Sequence, residues 1–501
     1  MLFVLIAWCL GTLLGFVMFV PGFMWRLRKI LAVMAMFFMG MAASVLLLWK
    51  CNLFTLALFW LSLYHVINYM RLVKGRMHER YLRRSTVRTS LLLFFVQGLV
   101  VLGWLAWNQW HTTGHTTWTV VAVMQLVAAA VSLFFMLRTI QRTSWPAAQK
   151  HYTDGELPTL SVAIPARNET DDLQDCLRSL VASDYPKLEI LVLDDCSQTK
   201  RTPEIIRSFA HDGVRFLQGE QPQPTWLAKN QAYEHLLRES NGQYILFCGV
   251  DVRFAPDSLR KLVSLMLARG KIMASVLPVR SPQAYGTTSL IQAMRYWWEL
   301  VPPRRLLKRP PVLSTCWIME RKALAGAGGF KSVARSIVPE AHFARYAART
   351  QDGYSFWRAG LGIGIQSVKT VADQRDTAIR MRYPQVHRRP EQVAIHSFLE
   401  MFFLLLPFAL SLGGFVFDIG TLAQVTATLT CLLLVVIHEL VVLSTKVNTW
   451  WFGLVAPPFM ILTDVALLHY SMWKYEFSIV EWKGRNVCIP AMHVVPRLPS
   501  Y

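Results

Sequence analysis

Acidic side chains follow three short apolar runs in the middle of this chain. The runs are Val162-Ala-Ile-Pro-Ala-Arg-Asn-Glu169, Leu188-Glu-Ile-Leu-Val-Leu-Asp-Asp195 and Tyr244-Ile-Leu-Phe-Cys248, the last followed by Gly249-Val-Asp251. In an open α/β sheet, ligands bind just beyond the carboxyl ends of the strands. Carboxylates at three such ends can hydrogen-bond a base and a ribose, and can hold a divalent ion against a diphosphate. The pattern therefore predicts a nucleotide site.

Glycine-rich phosphate loops are absent from the sequence. Neither G-x-x-x-x-G-K-[ST] nor G-x-G-x-x-G occurs, which removes the main support for a kinase or a Rossmann dehydrogenase. A nucleotide site without such a loop favours sugar nucleotides.

The acids need an α/β scaffold, and the surrounding sequence predicts one. From about 157 to 385, short apolar runs alternate with amphipathic segments such as Asp171-Asp-Leu-Gln-Asp-Cys-Leu-Arg-Ser-Leu180. This is the βαβ rhythm of a mostly parallel sheet. We therefore expect one α/β domain of ordinary size.

Composition predicts that this domain belongs to a membrane protein. The 501 residues are 53% hydrophobic and only 17% charged, and the mean hydropathy is +0.33. Several apolar stretches approach the length of about 20 residues that crosses a bilayer. They lie near 2–24, 30–49, 52–70, 89–107, 117–137, 396–417, 421–444 and 449–472.

The stretches divide the chain into four predicted regions. A transmembrane region of about five helices (1–150) precedes the α/β domain (151–390). A second transmembrane region of two to three helices (391–475) and a polar tail (476–501) follow it.

The charge distribution predicts an orientation. The chain has a formal charge of +21, and its cations follow the first, third and fifth apolar stretches. The positive-inside rule then puts the N-terminus outside and the α/β domain in the cytoplasm. We expect the protein to lie in a bacterial inner membrane. Three further crossings would put the tail outside, yet Lys474, Lys483, Arg485 and Arg497 favour the inside. One of the last three stretches would then be re-entrant or interfacial.

The basic charge does not favour nucleic acid as a partner. The cations adjoin apolar stretches, and the sequence has no zinc-finger or RNP-like pattern. An anionic lipid surface explains the charge better, so the bilayer is the expected partner.

Several motifs together resemble a family 2 glycosyltransferase of the GT-A fold over about 220 residues. These are the run ending at Glu169, Asp184-Tyr-Pro186, Val192-Leu-Asp-Asp195, the strand end at Asp251 and Arg321-Lys-Ala-Leu-Ala-Gly-Ala-Gly-Gly-Phe330. Pro222-Gln-Pro-Thr-Trp226, with Lys229-Asn230 after it, is similar to the membrane-bound subgroup of hopene-associated, carotenoid and ceramide-type glycosyltransferases. Trp482-Lys-Gly-Arg485 is similar to a segment that ends many of those chains.

The resemblance implies roles for individual residues. Donor-binding roles fall on Pro165, Asn168, Glu169, Asp195, Lys229, Asp251, Arg380 and Arg382. Within that set, Glu169 and Asp195 match contacts to the nucleobase and ribose, and Asp251 matches the acid that holds Mg²⁺ or Mn²⁺ on the diphosphate. Glu340 matches the acidic catalytic base, and the two arginines match an element that steadies the leaving diphosphate.

The chain also departs from the family pattern. Gly249 occupies the position of the first D-x-D acid, Pro339 precedes Glu340 where an acidic pair is usual, and no clear Q-x-x-R-W is present. A single carboxylate can still anchor a metal ion, because a diphosphate and waters can complete an octahedron. We expect weaker metal binding than with two acids.

The resemblance implies an inverting transfer from a UDP- or GDP-linked sugar. The acceptor expected from the membrane setting is a lipid with its hydroxyl at the cytoplasmic interface. Two alternatives stay open: a processive polysaccharide synthase, and a catalytically degenerate membrane scaffold or sensor.

Overall fold

The computed structural model describes most of the chain. The described residues are 11, 25–49, 53–73, 116–145, 152–281, 289–302, 309–350, 353–360, 362–445, 455–477 and 479–488. The predicted stretches near 2–24 and 89–107 lie outside them, apart from Gly11. The chain divides into two compact units, of which the first comprises 1–123, 389–399 and 412–426 and the second comprises 124–388, 400–411 and 427–501.

Helices account for most of the described apolar sequence. In chain order they are α1 Trp25–Trp49, α2 Leu53–Val73, α3 Thr116–Thr143, α4 Asp171–Val181, α5 Arg201–Ser208, α6 Ala228–Glu239, α7 Ser258–Ala268, α8 Ser289–Leu300, α9 Arg321–Gly326, α10 Pro339–Arg349, α11 Val371–Gln385, α12 Pro390–Glu400, α13 Leu406–Gly413, α14 Thr421–Ser444 and α15 Ala456–Glu476. A π-helical turn joins α12 to α13. In the first unit, α1 packs against α2.

The second unit contains a seven-stranded sheet. The strands of the described chain are β1 Leu160–Ala166, β2 Leu188–Asp194, β3 Val214–Gln218, β4 Tyr244–Cys248, β5 Val252–Phe254, β6 Met273–Leu277, β7 Val279–Arg280, β8 Cys316–Glu320, β9 Tyr354–Arg358, β10 Ile365–Ser367, β11 Glu481–Trp482 and β12 Arg485–Asn486. The sheet order is β3-β2-β1-β4-β8-β6-β9, and only β8 runs antiparallel to its neighbours. The predicted mostly parallel α/β domain of the GT-A type is confirmed.

The alternation of side chains along the strands explains why the sheet has a hydrophobic core on each face. Ala163 and Phe247 belong to the core on one face of the sheet, whereas Val162 and Leu246 belong to the core on the other. Successive strand residues point to opposite faces, so strands that are apolar throughout require helices on both sides. The predicted amphipathic helix, α4, buries Leu173, Cys176, Leu177 and Leu180, the spacing of one helical face.

Three helices are long and apolar enough to cross a membrane. They span Thr117–Thr143, Pro390–Gly413 and Thr421–Ser444, which agrees with three of the predicted stretches. The described parts of 30–49 and 52–70 are also helical, but only shorter apolar segments within them meet the same composition.

The last predicted stretch has a different setting. Helix α15 packs against α8 and α11 of the same unit. Its Asp464 side chain is bonded to Arg382, and its Ser471 Oγ accepts from the Tyr383 backbone N–H at 3.1 Å. Polar contacts therefore attach one face of this helix to α11.

The described part of the polar tail contacts the α/β domain. The chain leaves α15 and forms the hairpin β11–β12 directly against the ends of β1 and β2.

Candidate active site

The ends of β1 and β2 form the first part of the site. Asn168 and Cys196 adopt left-handed backbone conformations, with φ of 48° and 53°, and these bends turn the chain sharply after each strand. The Asp195 backbone N–H donates to Ala166 O at 2.8 Å, and that of Glu169 donates to Thr202 Oγ1 at 2.8 Å. Both carboxylates are therefore held at one edge of the sheet, as predicted.

Pro165 lies within β1, close to this edge. A proline in a central strand would remove a ladder hydrogen bond. Here the pairing of β1 with β4 stops at Ala163, whereas the pairing with β2 continues through Ala166. The proline therefore stands where one side of the strand is already unpaired.

The tail hairpin contacts this edge. Lys483 and Gly484 both have positive φ, 49° and 74°, which is the conformation of a two-residue type I′ turn. Lys483 forms an ion pair with Glu169. Arg485 Nη1 donates to Asp195 Oδ2 at 2.7 Å.

Burial and ion pairing oppose each other at these two carboxyl groups. Burial raises the pKa of Glu169, and Lys483 lowers it again. Burial likewise raises the pKa of Asp195, against the effect of Arg485. Desolvation disfavours the charged form and a neighbouring cation favours it, so each ion pair offsets part of the cost of burying its carboxylate.

Asp251 forms the second part of the site, at the turn between β4 and β5. Its carboxylate occupies the space that a side chain at Gly249 would need. Lys369 Nζ lies 3.9 Å from Asp251 Oδ2, and the Val368 backbone N–H donates to Asp251 O at 3.0 Å. The glycine that replaces the first D-x-D acid thus makes room for Asp251 itself.

The donor set at Asp251 fits a metal ion only together with a ligand. The Asp251 side chain is 24% exposed, so it can be reached. Among the described residues, no group of three or more His, Cys, Asp or Glu side chains is placed to bind a metal ion. Mg²⁺ needs six oxygens, so a diphosphate and water would have to supply most of them.

Glu340 occupies the first turn of α10. It is only 1% exposed, and its Oε2 has no hydrogen-bond partner within the described chain. Burial raises the pKa of its carboxyl group, against the effect of Lys229. Burial also lowers the pKa of Lys229, against the effect of Glu340. The predicted base and the predicted donor-binding lysine are therefore electrostatic partners.

Buried polar and aromatic contacts position α10. Asn230 Nδ2 donates to the carbonyls of Val333, Ala334 and Ser336, at 2.8 to 3.1 Å. On α10 itself, Phe343 stacks on Trp317 with ring centroids 5.8 Å apart. Packing of this kind fixes where a helix begins, and so where its first-turn acid points.

The two predicted arginines have different partners. The Arg380 guanidinium lies 4.9 Å from the centre of the Trp482 ring, and burial lowers its pKa to about 10, with Asp251 among the charges that act on it. Arg382 is instead bonded to Asp464 and lies 3.6 Å from Glu400. Arg380 therefore contacts the tail hairpin and is also subject to the charge of Asp251, whereas Arg382 joins α11 to α15 and to Glu400.

A cavity of about 630 Å³ adjoins the first part of the site. Its lining includes Asp195, Gly219 and Trp226. The last of these belongs to the Pro222–Trp226 motif. Glu169, Asp251 and Glu340 do not line it. We therefore regard it as a groove that shares Asp195 with the site, because Glu169, Asp251 and Glu340 lie elsewhere.

Four basic residues contribute to the site although the sequence did not single them out for it. Lys369 precedes the capping residue of α11, and burial lowers its pKa to about 8, with Arg295 and Arg380 adding to that effect. Lys483 and Arg485 were visible only as a tail motif. Arg167 follows β1, and its Nη1 donates to Asp195 O at 2.7 Å. Apart from that tail motif, no local signal distinguishes these residues from surface cations.

Comparisons with known proteins agree with this geometry. The family model described as Glycosyl transferase family 2 matches residues 161–326. The chain is 34% identical over 118 residues to "Glycosyltransferase AglE" of Haloferax volcanii, which covers 23% of this chain and 37% of the relative. It is 27% identical over 114 residues to "Putative teichuronic acid biosynthesis glycosyltransferase TuaG" of Bacillus subtilis, which covers 22% of this chain and 43% of the relative. The chain thus spans less than half the length of these curated relatives.

Solved structures show more distant likeness. The mannosyltransferase PcManGT of Pyrobaculum calidifontis, in complex with GDP-Man and Mn²⁺, has a TM-score of 0.44 and 17% identity, over 71% of this chain and 98% of that one. Glucosyl-3-phosphoglycerate synthase of Mycobacterium tuberculosis, in complex with Mn²⁺ and UDP, has a TM-score of 0.29 and 19% identity, over 43% and 76% of the two chains. Residues 161–326 of this chain are therefore similar to glycosyltransferase family 2.

Proposed function

We propose that this protein is an inverting glycosyltransferase that moves a sugar from a UDP- or GDP-linked donor to a membrane lipid. The observation that carries the proposal is Glu340. This buried acid has one unpartnered oxygen, lies beside Lys229 and belongs to the same unit as the strand-end acids. A carboxylate with a raised pKa is a better proton acceptor than an exposed one.

The reaction is a single displacement. The acceptor hydroxyl oxygen forms a bond to the anomeric carbon while the bond from that carbon to the diphosphate oxygen breaks. The hydroxyl proton passes to Glu340, and the nucleoside diphosphate leaves with the bonding electron pair. Inversion follows, because the attacking and leaving oxygens are on opposite faces of the sugar.

Charge develops on the departing diphosphate, and the cations near Asp251 are placed to stabilise it. Lys229, Lys369, Arg295 and Arg380 all act electrostatically on this region. Fixed charges of this kind usually make the largest contribution to catalysis. When bound with the donor, Mg²⁺ or Mn²⁺ would add further neutralisation, with Asp251 as its protein ligand.

The lipid acceptor is supported by the apolar helices on both sides of the domain in the chain. Helices Thr117–Thr143 and Pro390–Gly413 precede and follow the α/β region. A lipid hydroxyl at the interface could then reach the site without leaving the bilayer. The basic loops favour the cytoplasmic face of a bacterial inner membrane, and the tail motif favours the hopene-associated, carotenoid and ceramide-type subgroup.

The experiment uses membranes that contain the protein and a panel of labelled UDP- and GDP-sugars. We expect label in the lipid extract, and none with Glu340→Gln. Label in insoluble polymer would instead favour a processive synthase. Nucleotide binding without any transfer would favour a scaffold or sensor.

A further inference from the structure

The tail hairpin is bonded to side-chain groups of the strand ends that a nucleoside would need for its own hydrogen bonds. Lys483 is paired with Glu169, and Arg485 with Asp195. Lys483 O also accepts from Asn168 Nδ2 at 2.9 Å and from Arg167 Nε at 3.1 Å. Three of the predicted donor-binding residues are therefore bound to this one turn.

The free positions left on these residues are few. Asn168 Oδ1 accepts from the Gln198 backbone N–H at 2.8 Å, so both ends of this amide are engaged. The Glu169 and Asp195 side chains are only 10% and 6% exposed. A base or ribose cannot form its full set of bonds here while the hairpin remains in place.

The hairpin has little structure of its own. Strands β11 and β12 are two residues each, and within the described chain they pair only with each other. Isolated two-stranded hairpins are marginally stable at best. Its position therefore depends on contacts with the strand ends and on the stacking of Trp482 with Arg380.

We propose that the hairpin Glu481–Asn486 is a gate that closes the donor pocket of the nucleotide-free protein and is displaced by the nucleoside of the incoming donor. The proposal rests on the proposed function, because it assigns the nucleoside to Glu169 and Asp195. Donor N–H and hydroxyl groups replace the two cations, so neither buried acid is left without a partner. A buried carboxylate that lost one partner without gaining another would be costly, which makes the exchange concerted.

Binding measurements test the gate energetically. The double variant Lys483→Ala, Arg485→Ala removes both cations and should increase the population of protein whose hairpin has left the pocket. Binding of UDP or GDP, whichever the protein binds, should then tighten by up to about ten-fold. The matched control is Lys474→Ala, a cation of the last turn of α15 that lies over the Tyr470 ring and should leave the affinity unchanged. Weaker binding in the double variant would overturn the proposal and make the hairpin a fixed wall of the pocket.

Distance measurements test the movement itself. Spin labels at Glu481→Cys and Lys200→Cys, in a background without reactive native cysteines, should show a single distance that lengthens on nucleotide addition. An unchanged distance at saturating nucleotide would contradict the gate.

A third variant separates this proposal from the proposed function. Glu169→Gln with Asp195→Asn removes both ion pairs, so the labels should move apart without any nucleotide. Labels that stay together in this variant would overturn the gate. Failure of every nucleotide to bind wild-type protein and hairpin variants would instead overturn the proposed function, while the label distances still decide whether the ion pairs hold the hairpin.

Discussion

The two parts of the site differ in how their charges are partnered. At the ends of β1 and β2, each acid has its own cation, as Glu169 has Lys483 and Asp195 has Arg485. Around Asp251 and Glu340, four cations act on the site, namely Lys229, Lys369, Arg295 and Arg380, while Glu299, Asp373 and Asp376 also act on parts of it. In the first part each acid already has a cation bonded to it. The second part is rich in cations that are not bonded to its two acids in this way, which suits an anionic diphosphate.

The largest expected effect comes from the acid in the cation-rich part. Glu340→Gln should lower transfer by about 10²- to 10⁴-fold, the usual contribution of a general base. Donor affinity should change little, because the amide keeps the shape of the side chain. Glu239→Gln, at an acid paired with Arg215, is the matched control. Wild-type turnover in Glu340→Gln would exclude Glu340 as the base.

Arg382 tests the boundary of the cation-rich part. Arg382→Ala should destabilise the protein by about 3–5 kcal/mol, because Asp464 and Glu400 would remain buried without their cation. Thermal unfolding in detergent with and without nucleotide measures this loss. Arg380→Ala should weaken donor binding more and stability less. The reverse ranking would assign the diphosphate contact to Arg382.

Lys369 distinguishes the two parts directly. Lys369→Ala should weaken binding of the nucleoside diphosphate by about ten-fold, the value of one charge-assisted contact of roughly 1.5 kcal/mol. Binding of the matching nucleoside, which lacks the diphosphate, should not change. Equal loss for both ligands would show that Lys369 acts on the nucleoside end instead.

The pH dependence of diphosphate binding should also reflect Lys369, with a smaller effect than that of Lys369→Ala. The Lys369 pKa is lowered to about 8, so the ammonium is charged below that pH and loses its charge as the pH rises through it. Diphosphate affinity should therefore fall above about pH 8. In Lys369→Arg this fall in affinity should move to higher pH, since guanidinium stays charged. A fall that stays at the same pH in this variant would assign the titration to another group.

The sequence predicted the parts of the site that depend on local pattern. Strand alternation and the acids after β1, β2 and β4 could be recognised, because both belong to short contiguous segments. The partners of those acids could not, since Lys483 lies 314 and Arg485 lies 290 residues along the chain from the acid each one pairs with. Their proximity depends on how α15 packs, which no local periodicity encodes.

The arginine pair shows a second limit of sequence reasoning. Arg380 and Arg382 were assigned one shared role, although residues two apart on a helix do not face the same side. Helix α11 contains both, and it directs Arg380 to Trp482 and Arg382 to Asp464. The family motif gave the positions of the two arginines in the chain, but the geometry of the helix gives them different partners.

The most direct test of the central claim is nucleotide release by purified protein in lipid, with labelled UDP- and GDP-sugars as donors. We predict that wild-type protein releases the nucleoside diphosphate while label enters the lipid fraction. Glu340→Gln should bind the same donor and release nothing. Donor binding without release on any lipid extract, or release that Glu340→Gln leaves unchanged, would contradict the assignment of this site as a glycosyltransferase centre.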